Sequence, residues 1–142
     1  MNTKKILTIT SKSFILLSAL SLLSVSLMAF VSPQSVMSLV QVQLNNTDAF
    51  SSIRGVYGGV GLTLFITLVY LCFKDVQKGL AFLSMLWGLY ALSRIITIFS
   101  EGELGAFGTQ WLLIESVFFL IALTLFIANK KKSTSFSPQS AN

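Results

Sequence analysis

The chain has no histidine, and Cys72 is the one cysteine among its 142 residues. Zinc, haem and iron–sulfur sites draw mainly on imidazole or on several thiolates, so no ordinary metal site can be assembled. A Ser-His-Asp or Cys-His catalytic pair would lack its base, and a disulfide within the chain would lack a second cysteine. These absences predict a non-enzymatic protein with no catalytic residue, no metal site and no cofactor.

Charge is also scarce, because only 11% of the residues are charged and 54% are hydrophobic. Soluble domains are about a quarter charged, so the composition excludes an ordinary soluble domain. The length predicts a single domain, residues 1–142. The net charge of +5 does not indicate a nucleic-acid partner, since the basic residues lie at segment ends rather than on one exposed face.

Four apolar runs have the length of about 20 residues that a helix needs to cross a bilayer core of about 30 Å. They cover residues 14–31, 53–73, 79–99 and 111–128, each within a residue or two. We therefore predict an all-α fold, an integral membrane four-helix transmembrane bundle, followed by a disordered tail at 129–142. The first run exceeds the roughly 7 to 15 apolar residues of a secretory signal, so an uncleaved helix is expected.

The lysines predict the orientation of these helices. All eight lie in the N-terminal segment, in the connection after the second run, or in the tail. Those three places share one side of a four-pass protein, and cytoplasmic segments carry the excess of Lys and Arg. We expect both termini in the cytoplasm and the chain in the inner (plasma) membrane of the cell, with the lipid bilayer as its partner.

The connection at residues 32–52 is expected on the outer surface of the membrane. The alternation of Val40 to Leu44 favours a short extended stretch, whereas the apolar residues of 36–40 fit a helical turn lying against the headgroups. Both alternatives are open from the sequence.

Three charged residues lie inside the apolar runs: Arg54, Arg94 and Glu115. A charge at the bilayer centre costs about 2.5 to 3.5 kcal/mol on insertion scales and normally finds a partner inside the bundle. At 1.5 Å per residue, Arg94 lies about 8 Å and Glu115 about 6 Å below the outer ends of their helices, and Arg54 lies at the outer boundary. Together with Tyr57, these residues are predicted to form a polar cluster in the outer half of the membrane.

Two interpretations of this cluster are open. An ion pair between Arg94 and Glu115 would brace the bundle, while Arg54 reaches the headgroups. Alternatively, two arginines and one carboxylate leave a surplus positive charge for a small anionic ligand or a lipid headgroup, which a guanidinium fork can hold with two hydrogen bonds. A different function, a small transporter or proton-coupled carrier acting as an oligomer, would use Glu115 as its proton-carrying group.

The second run begins with a glycine-rich string, Arg-Gly-Val-Tyr-Gly-Gly-Val-Gly, at residues 54–61. Arg54, Tyr57, Gly58 and Gly61 follow the i, i+3, i+4, i+7 spacing of one helix face. On a neighbouring face, two glycines form a Gly-x-x-x-Gly pair, and such small residues let a second helix approach closely. We expect all the glycines of the string to pack inside the monomer. The predicted helix-packing glycines are Gly55, Gly58, Gly59 and Gly61. The alternative is that two copies of the chain associate through Gly55 and Gly59.

The Arg-Gly-x-Tyr-Gly-Gly motif at residues 54–59, an arginine late in the third helix (Arg94) and a glutamate early in the fourth (Glu115) carry a family resemblance. The chain resembles a family of small four-helix bacterial integral membrane proteins of unknown function. The resemblance covers Lys12 to Ala128. It implies a four-span α-helical membrane domain of bacterial type and brings no established activity with it.

Overall fold

Every regular element is helical in a computed structural model that describes residues 3–134. This part of the chain contains no strand, so the predicted all-α class is confirmed. The elements, in chain order, are α1 (Thr3–Val31), α2 (Pro33–Ser38), α3 (Thr47–Ile53), a π-helical turn (Arg54–Gly59), α4 (Val60–Lys74), α5 (Val76–Glu101) and α6 (Ala106–Thr134).

Four stretches of helix in the described residues are long and apolar enough to cross a membrane. They are α1, the continuous stretch Thr47–Lys74 formed by α3, the π-helical turn and α4, then α5, and α6 as far as Lys130. The four apolar segments predicted from the sequence are therefore confirmed as helices. Their length and composition fit a multi-pass membrane protein.

The helices extend beyond the apolar runs that predict them. Helix α1 already begins at Thr3, well before residue 14, and α6 continues to Thr134, past residue 128. Hydropathy marks only the part of a helix that matches hydrocarbon, whereas lysines such as Lys4 and Lys5 are good helix formers in water. The final turns at 129–134 are thus helical, and residues 135–142 of the predicted tail lie outside the described residues.

Short polar signals set the breaks between helices. The Asn46 side chain caps α3 by accepting from the backbone N–H of Ala49 at 2.8 Å, and Asp75 caps α5 by accepting from the backbone N–H of Lys78 at 3.0 Å. Such caps satisfy N–H groups that have no partner inside the helix. Helix α5 ends at Gly102, whose φ of 104° lies in the left-handed region that favours glycine.

The connection after α1 contains a helix, as one of the two alternatives predicted, but Val36 and Met37 of this helix are buried rather than exposed at a surface that could meet headgroups. Helix α2 buries Val36 and Met37 against Ala29 of α1, and residues 40–44 form no strand. The Gln34 side chain holds the returning chain in place, because its Nε2 donates to Val42 O at 2.9 Å and its Oε1 accepts from Leu44 N at 2.9 Å.

The described chain divides into two compact units. The α1–α4 unit consists of Ser13–Lys74, and the α5–α6 unit combines the residues up to Lys12 with those from Asp75 onward. In the second of these, α5 and α6 pack as an antiparallel pair. Trp87 meets Phe118 edge to face with ring centroids 5.1 Å apart, and a Cβ on the neighbouring Gly88 would lie 3.0 Å from the ring of Phe119.

Polar and apolar residues are distributed in the reverse of the soluble pattern. Ser11, Ser18 and Ser26 are fully buried, whereas large apolar side chains are exposed, among them Phe99 at 85% and Phe73 at 67%. Soluble proteins rarely leave large contiguous apolar patches exposed. Long helices with apolar outer surfaces and polar residues facing inward are the arrangement expected in lipid.

The cap of α5 generates a pH prediction. The backbone N–H of Lys78, and then its side chain at 3.2 Å from Oδ2, hold the pKa of Asp75 below its usual range. A carboxyl whose pKa is lower in the folded state stabilises the fold above its unfolded pKa, and this contribution is lost as the pH falls through the folded pKa. We expect Asp75→Asn, which still caps but cannot titrate, to lose part of the acid-induced decrease in melting temperature measured in detergent. An identical acid dependence in the variant would contradict this assignment.

Candidate functional site

The site is centred on an ion pair between the two long helices of the α5–α6 unit. Arg94 donates twice to the carboxylate of Glu115, from Nε to Oε2 at 2.6 Å and from Nη2 to Oε1 at 2.8 Å. The Glu115 side chain is 4% exposed and that of Arg94 is 23% exposed. This geometry is the fork-to-fork pairing that makes Arg–carboxylate contacts both strong and directional.

The helix register brings the two charges to one level. Arg94 lies seven residues before the end of α5 at Glu101, and Glu115 lies nine residues after the start of α6 at Ala106. In an antiparallel pair with a rise of 1.5 Å per residue, these positions lie opposite each other. Next to the ion pair, further from the end of α5 and the start of α6, the rings of Trp87 and Phe118 pack together as an apolar layer.

The pairing decides what the two residues can do chemically. Both carboxylate oxygens of Glu115 accept a hydrogen bond from Arg94, and the pair carries no net charge. A buried charge is tolerated where it is paired and hydrogen-bonded in this way. The geometry is therefore that of a closed structural contact between α5 and α6.

Arg54 is exposed and has a different role. Its Nε donates to the carbonyl oxygen of Phe30 at 3.2 Å, and Phe30 is the second-last residue of α1. The last four carbonyls of a helix have no partner within that helix, so Arg54 caps the C-terminal end of α1. Its two terminal nitrogens make no hydrogen bond within the described residues.

The glycine-rich string joins α4 to α1 through the π-helical turn. The hydroxyl of Ser26 donates to Gly58 O at 2.6 Å inside the unit. A Cβ added to Gly58 would lie 3.0 Å from the ring of Phe30, and one added to Gly61 would lie 3.0 Å from the Cβ of Ser26. These two glycines therefore permit the close approach of α1, and the serine satisfies a carbonyl there.

The other two glycines of the string behave differently from the expectation that all four pack inside the monomer. A Cβ added to Gly55 or Gly59 would meet nothing within 4 Å. The α-helical spacing used for the prediction does not hold through residues 54–59, because a π-helix forms i→i+5 bonds and turns more widely. In this string, Gly58 and Gly61 are packed against α1, whereas Gly55 and Gly59 face open space.

Of the four residues in the predicted cluster, the structure brings Arg94 and Glu115 into contact. Arg54 and Tyr57 both belong to the π-helical turn of the α1–α4 unit. Tyr57 is 40% exposed, and its hydroxyl makes no hydrogen bond within the described residues.

A comparison with known families matches residues 10–126 to a family model described as a domain of unknown function, DUF4345. The chain belongs to this family. The match confirms the family resemblance predicted from the motif at 54–59 and covers both units. No curated protein and no solved structure is similar enough to the chain to count as a match.

Sequence reasoning about this DUF4345 chain missed two groups of polar contacts. Ser26 is one of several serines in the first apolar run, Gln77 lies in the connection between the second and third predicted runs, and Asn129 is the first residue of the predicted tail. The serine faces the glycine string, and the Gln77 Nε2 donates to Phe126 O at 3.1 Å. A polar residue recurring inside an apolar run is a signal that could have found Ser26, but nothing in the sequence pairs residue 77 with 126.

The close approach of α1 and α4 in the DUF4345 fold predicts different effects of alanine at two neighbouring glycines. Gly61→Ala crowds Ser26, and overpacking costs about 1 to 3 kcal/mol. Gly59→Ala meets nothing within 4 Å and provides the control, because alanine favours a helix over glycine at either position. We expect Gly61→Ala to unfold at a lower temperature in detergent than Gly59→Ala. Equal melting temperatures would show that the contact of Gly61 with Ser26 has room to relax.

Proposed function

We propose that this chain is a non-enzymatic integral protein of the bacterial inner (plasma) membrane, folded as a four-helix transmembrane bundle with both termini in the cytoplasm. The Arg94–Glu115 pair braces α5 against α6. Arg54 and Tyr57 offer a place at the outer surface for a small anionic ligand or a lipid headgroup. The observation that carries the proposal is the bidentate geometry of the buried pair.

The membrane position is supported by the exposed apolar surface and by the four long helices. The orientation is supported by the lysines, which occur near the start of α1, between α4 and α5, and at the end of α6. The connections on the opposite side, at residues 32–46 and 102–105, contain no lysine. With this orientation the ion pair lies in the outer half of the membrane.

The brace is favoured over an open charged pocket at Arg94 because Glu115 occupies the guanidinium fork. A ligand anion at Arg94 would have to displace a carboxylate that is held by two hydrogen bonds and is almost fully buried. The same pairing weighs against a proton-coupled carrier built on Glu115, because a proton on this carboxylate would break up a matched pair in an apolar setting.

A site for an anion at Arg54 has separate support. The guanidinium is anchored through Nε to Phe30 O, and its remaining donors make no hydrogen bond within the described residues. The hydroxyl of Tyr57, in the same π-helical turn, is another donor. An arginine held by one nitrogen and open at the others can bind a phosphate or a carboxylate with two hydrogen bonds.

A double-mutant cycle tests the brace. Removing one member of a buried pair leaves an unpaired charge and costs about 3 to 5 kcal/mol, whereas replacing both by apolar residues is often neutral. We therefore expect Arg94→Leu and Glu115→Leu each to lower the free energy of unfolding in detergent by about that amount. The double variant should unfold close to the wild type, which gives a large coupling energy.

The exposed pair of Asp75 and Lys78 provides the control cycle, because it joins the same two charge types in water and exposed pairs contribute little. Its coupling energy should be much smaller than that of Arg94 and Glu115. Wild-type stability in both single leucine variants would refute the brace and would indicate that the charges serve a ligand instead.

The anion site predicts a loss of ligand-dependent stability in Arg54→Gln. Glycerol phosphate and phosphatidylglycerol supply the same phosphate chemistry from solution and from the membrane. We expect either one or both to raise the melting temperature of the wild type, and we expect Arg54→Gln to lose this effect while Arg54→Lys keeps part of it. Lys5→Gln removes an equal charge from the opposite end of α1 and should respond as the wild type does. An unchanged response in Arg54→Gln would refute the site.

A further inference from the structure

A cleft of about 400 Å³ lies at the other end of the α5–α6 unit, where α5 begins and the apolar part of α6 ends. Its walls are Gln77, Phe126, Asn129 and Lys130. The cleft is separate from the ion pair, since Gln77 and Arg94 are 17 residues apart along α5, which corresponds to about 25 Å. With the proposed orientation, it opens at the cytoplasmic boundary of the membrane.

One residue that lines the cleft, Gln77, carries an unsatisfied acceptor. The Nε2 of Gln77 donates to Phe126 O at 3.1 Å, whereas its Oε1 is buried and has no partner in the described chain. The amide cannot be turned over to solve this, because the oxygen would then face the carbonyl oxygen of Phe126. A buried polar atom without a partner costs free energy, so the Gln77 oxygen calls for a donor that the described chain does not supply.

The side-chain amide of Asn129, which also lines the cleft, likewise donates through its nitrogen. Its Nδ2 donates to the hydroxyl of Ser11 at 3.0 Å and to Leu125 O at 2.7 Å. Both of its donors are therefore used, and the Asn129 oxygen is the atom left to accept. Two amide oxygens in one cleft favour a ligand that donates several hydrogen bonds, and Lys130 adds a positive charge at the rim that attracts phosphate.

We propose that this cleft binds a phospholipid whose headgroup carries a primary ammonium, with the ammonium donating to Gln77 Oε1 and Asn129 and the lipid phosphate near Lys130. The inference rests on the membrane position proposed above. The contact requires the Gln77 amide to rotate about χ3, a torsion with a broad range, so that its hydrogen bond to Phe126 O is exchanged for one between its oxygen and the ammonium. An ammonium with three N–H donors satisfies this oxygen, whereas a trimethylated choline headgroup has no N–H donor.

The test compares phosphatidylethanolamine with phosphatidylcholine on the purified full-length chain. Each lipid is added with the same acyl chains, and the bound fraction is measured by native mass spectrometry from detergent. We expect the wild type to favour phosphatidylethanolamine by roughly tenfold, the size of one charge-assisted hydrogen bond. Successive N-methylation of the headgroup should lower the preference stepwise as donors are lost.

Two substitutions of one residue separate binding from a purely structural role. Both Gln77→Met and Gln77→Glu remove the donor to Phe126 O, but only the glutamate keeps an acceptor. We expect Gln77→Met to bind the two lipids equally and Gln77→Glu to retain or increase the preference for phosphatidylethanolamine. Gln110→Met, which changes a glutamine at the start of α6, is the matched control and should keep the wild-type ratio.

Equal binding of the two lipids by the wild type would overturn the proposal, as would a wild-type ratio in Gln77→Met or equal losses in the methionine and glutamate variants. These outcomes can be distinguished from failure of the proposed function. Recovery of the chain in the aqueous fraction, with no lipid of either kind bound, would refute the membrane position itself. Lipid binding without headgroup preference would refute only the cleft.

Discussion

The cost of burying a charge between two apolar helices is the constraint on which the rest of the structure depends. Arg94 and Glu115 can lie within long apolar helices only because each supplies what the other lacks, with two hydrogen bonds and opposite charge. This requirement also acts on the backbone, since the two side chains meet only in one register of α5 against α6. The pair therefore specifies an alignment that apolar packing alone would leave less defined.

In the α1–α4 unit, the groups that need partners are uncharged backbone carbonyls, and side chains supply the donors. A π-helical turn weakens the regular pattern of backbone bonds, and the Ser26 hydroxyl satisfies Gly58 O at 2.6 Å. The end of α1 leaves carbonyls without partners, and Arg54 satisfies one of them. The family motif at residues 54–59 thereby acquires a physical explanation: its arginine caps a neighbouring helix, and its glycine at 58 admits the ring of Phe30.

Hydropathy predicted the four long helices because each contains an uninterrupted apolar run of about the length that a membrane-spanning helix needs. The level shared by Arg94 and Glu115 was predictable as well, since it needs only the direction of each helix and the rise per residue. The ends of α1 and α6 were not predictable from apolar runs, because helix continues into water on lysines. The open faces of Gly55 and Gly59 were also beyond reach, because α-helical spacing gives no sign of a π-helical turn.

A costly polar residue in an apolar segment has two explanations, and the count of its hydrogen-bond partners separates them. Glu115 is one of the three costly charges that the sequence places in apolar runs, yet both of its oxygens have donors, so its energetic need is met inside the unit. Gln77 carries no charge and attracts no attention in the sequence, yet its buried oxygen has no donor in the described chain. A completed set of partners accounts for a polar residue through stability alone. An incomplete set leaves a requirement that the described residues do not meet, and this shifts the search for function from the charged pair to the amide cleft.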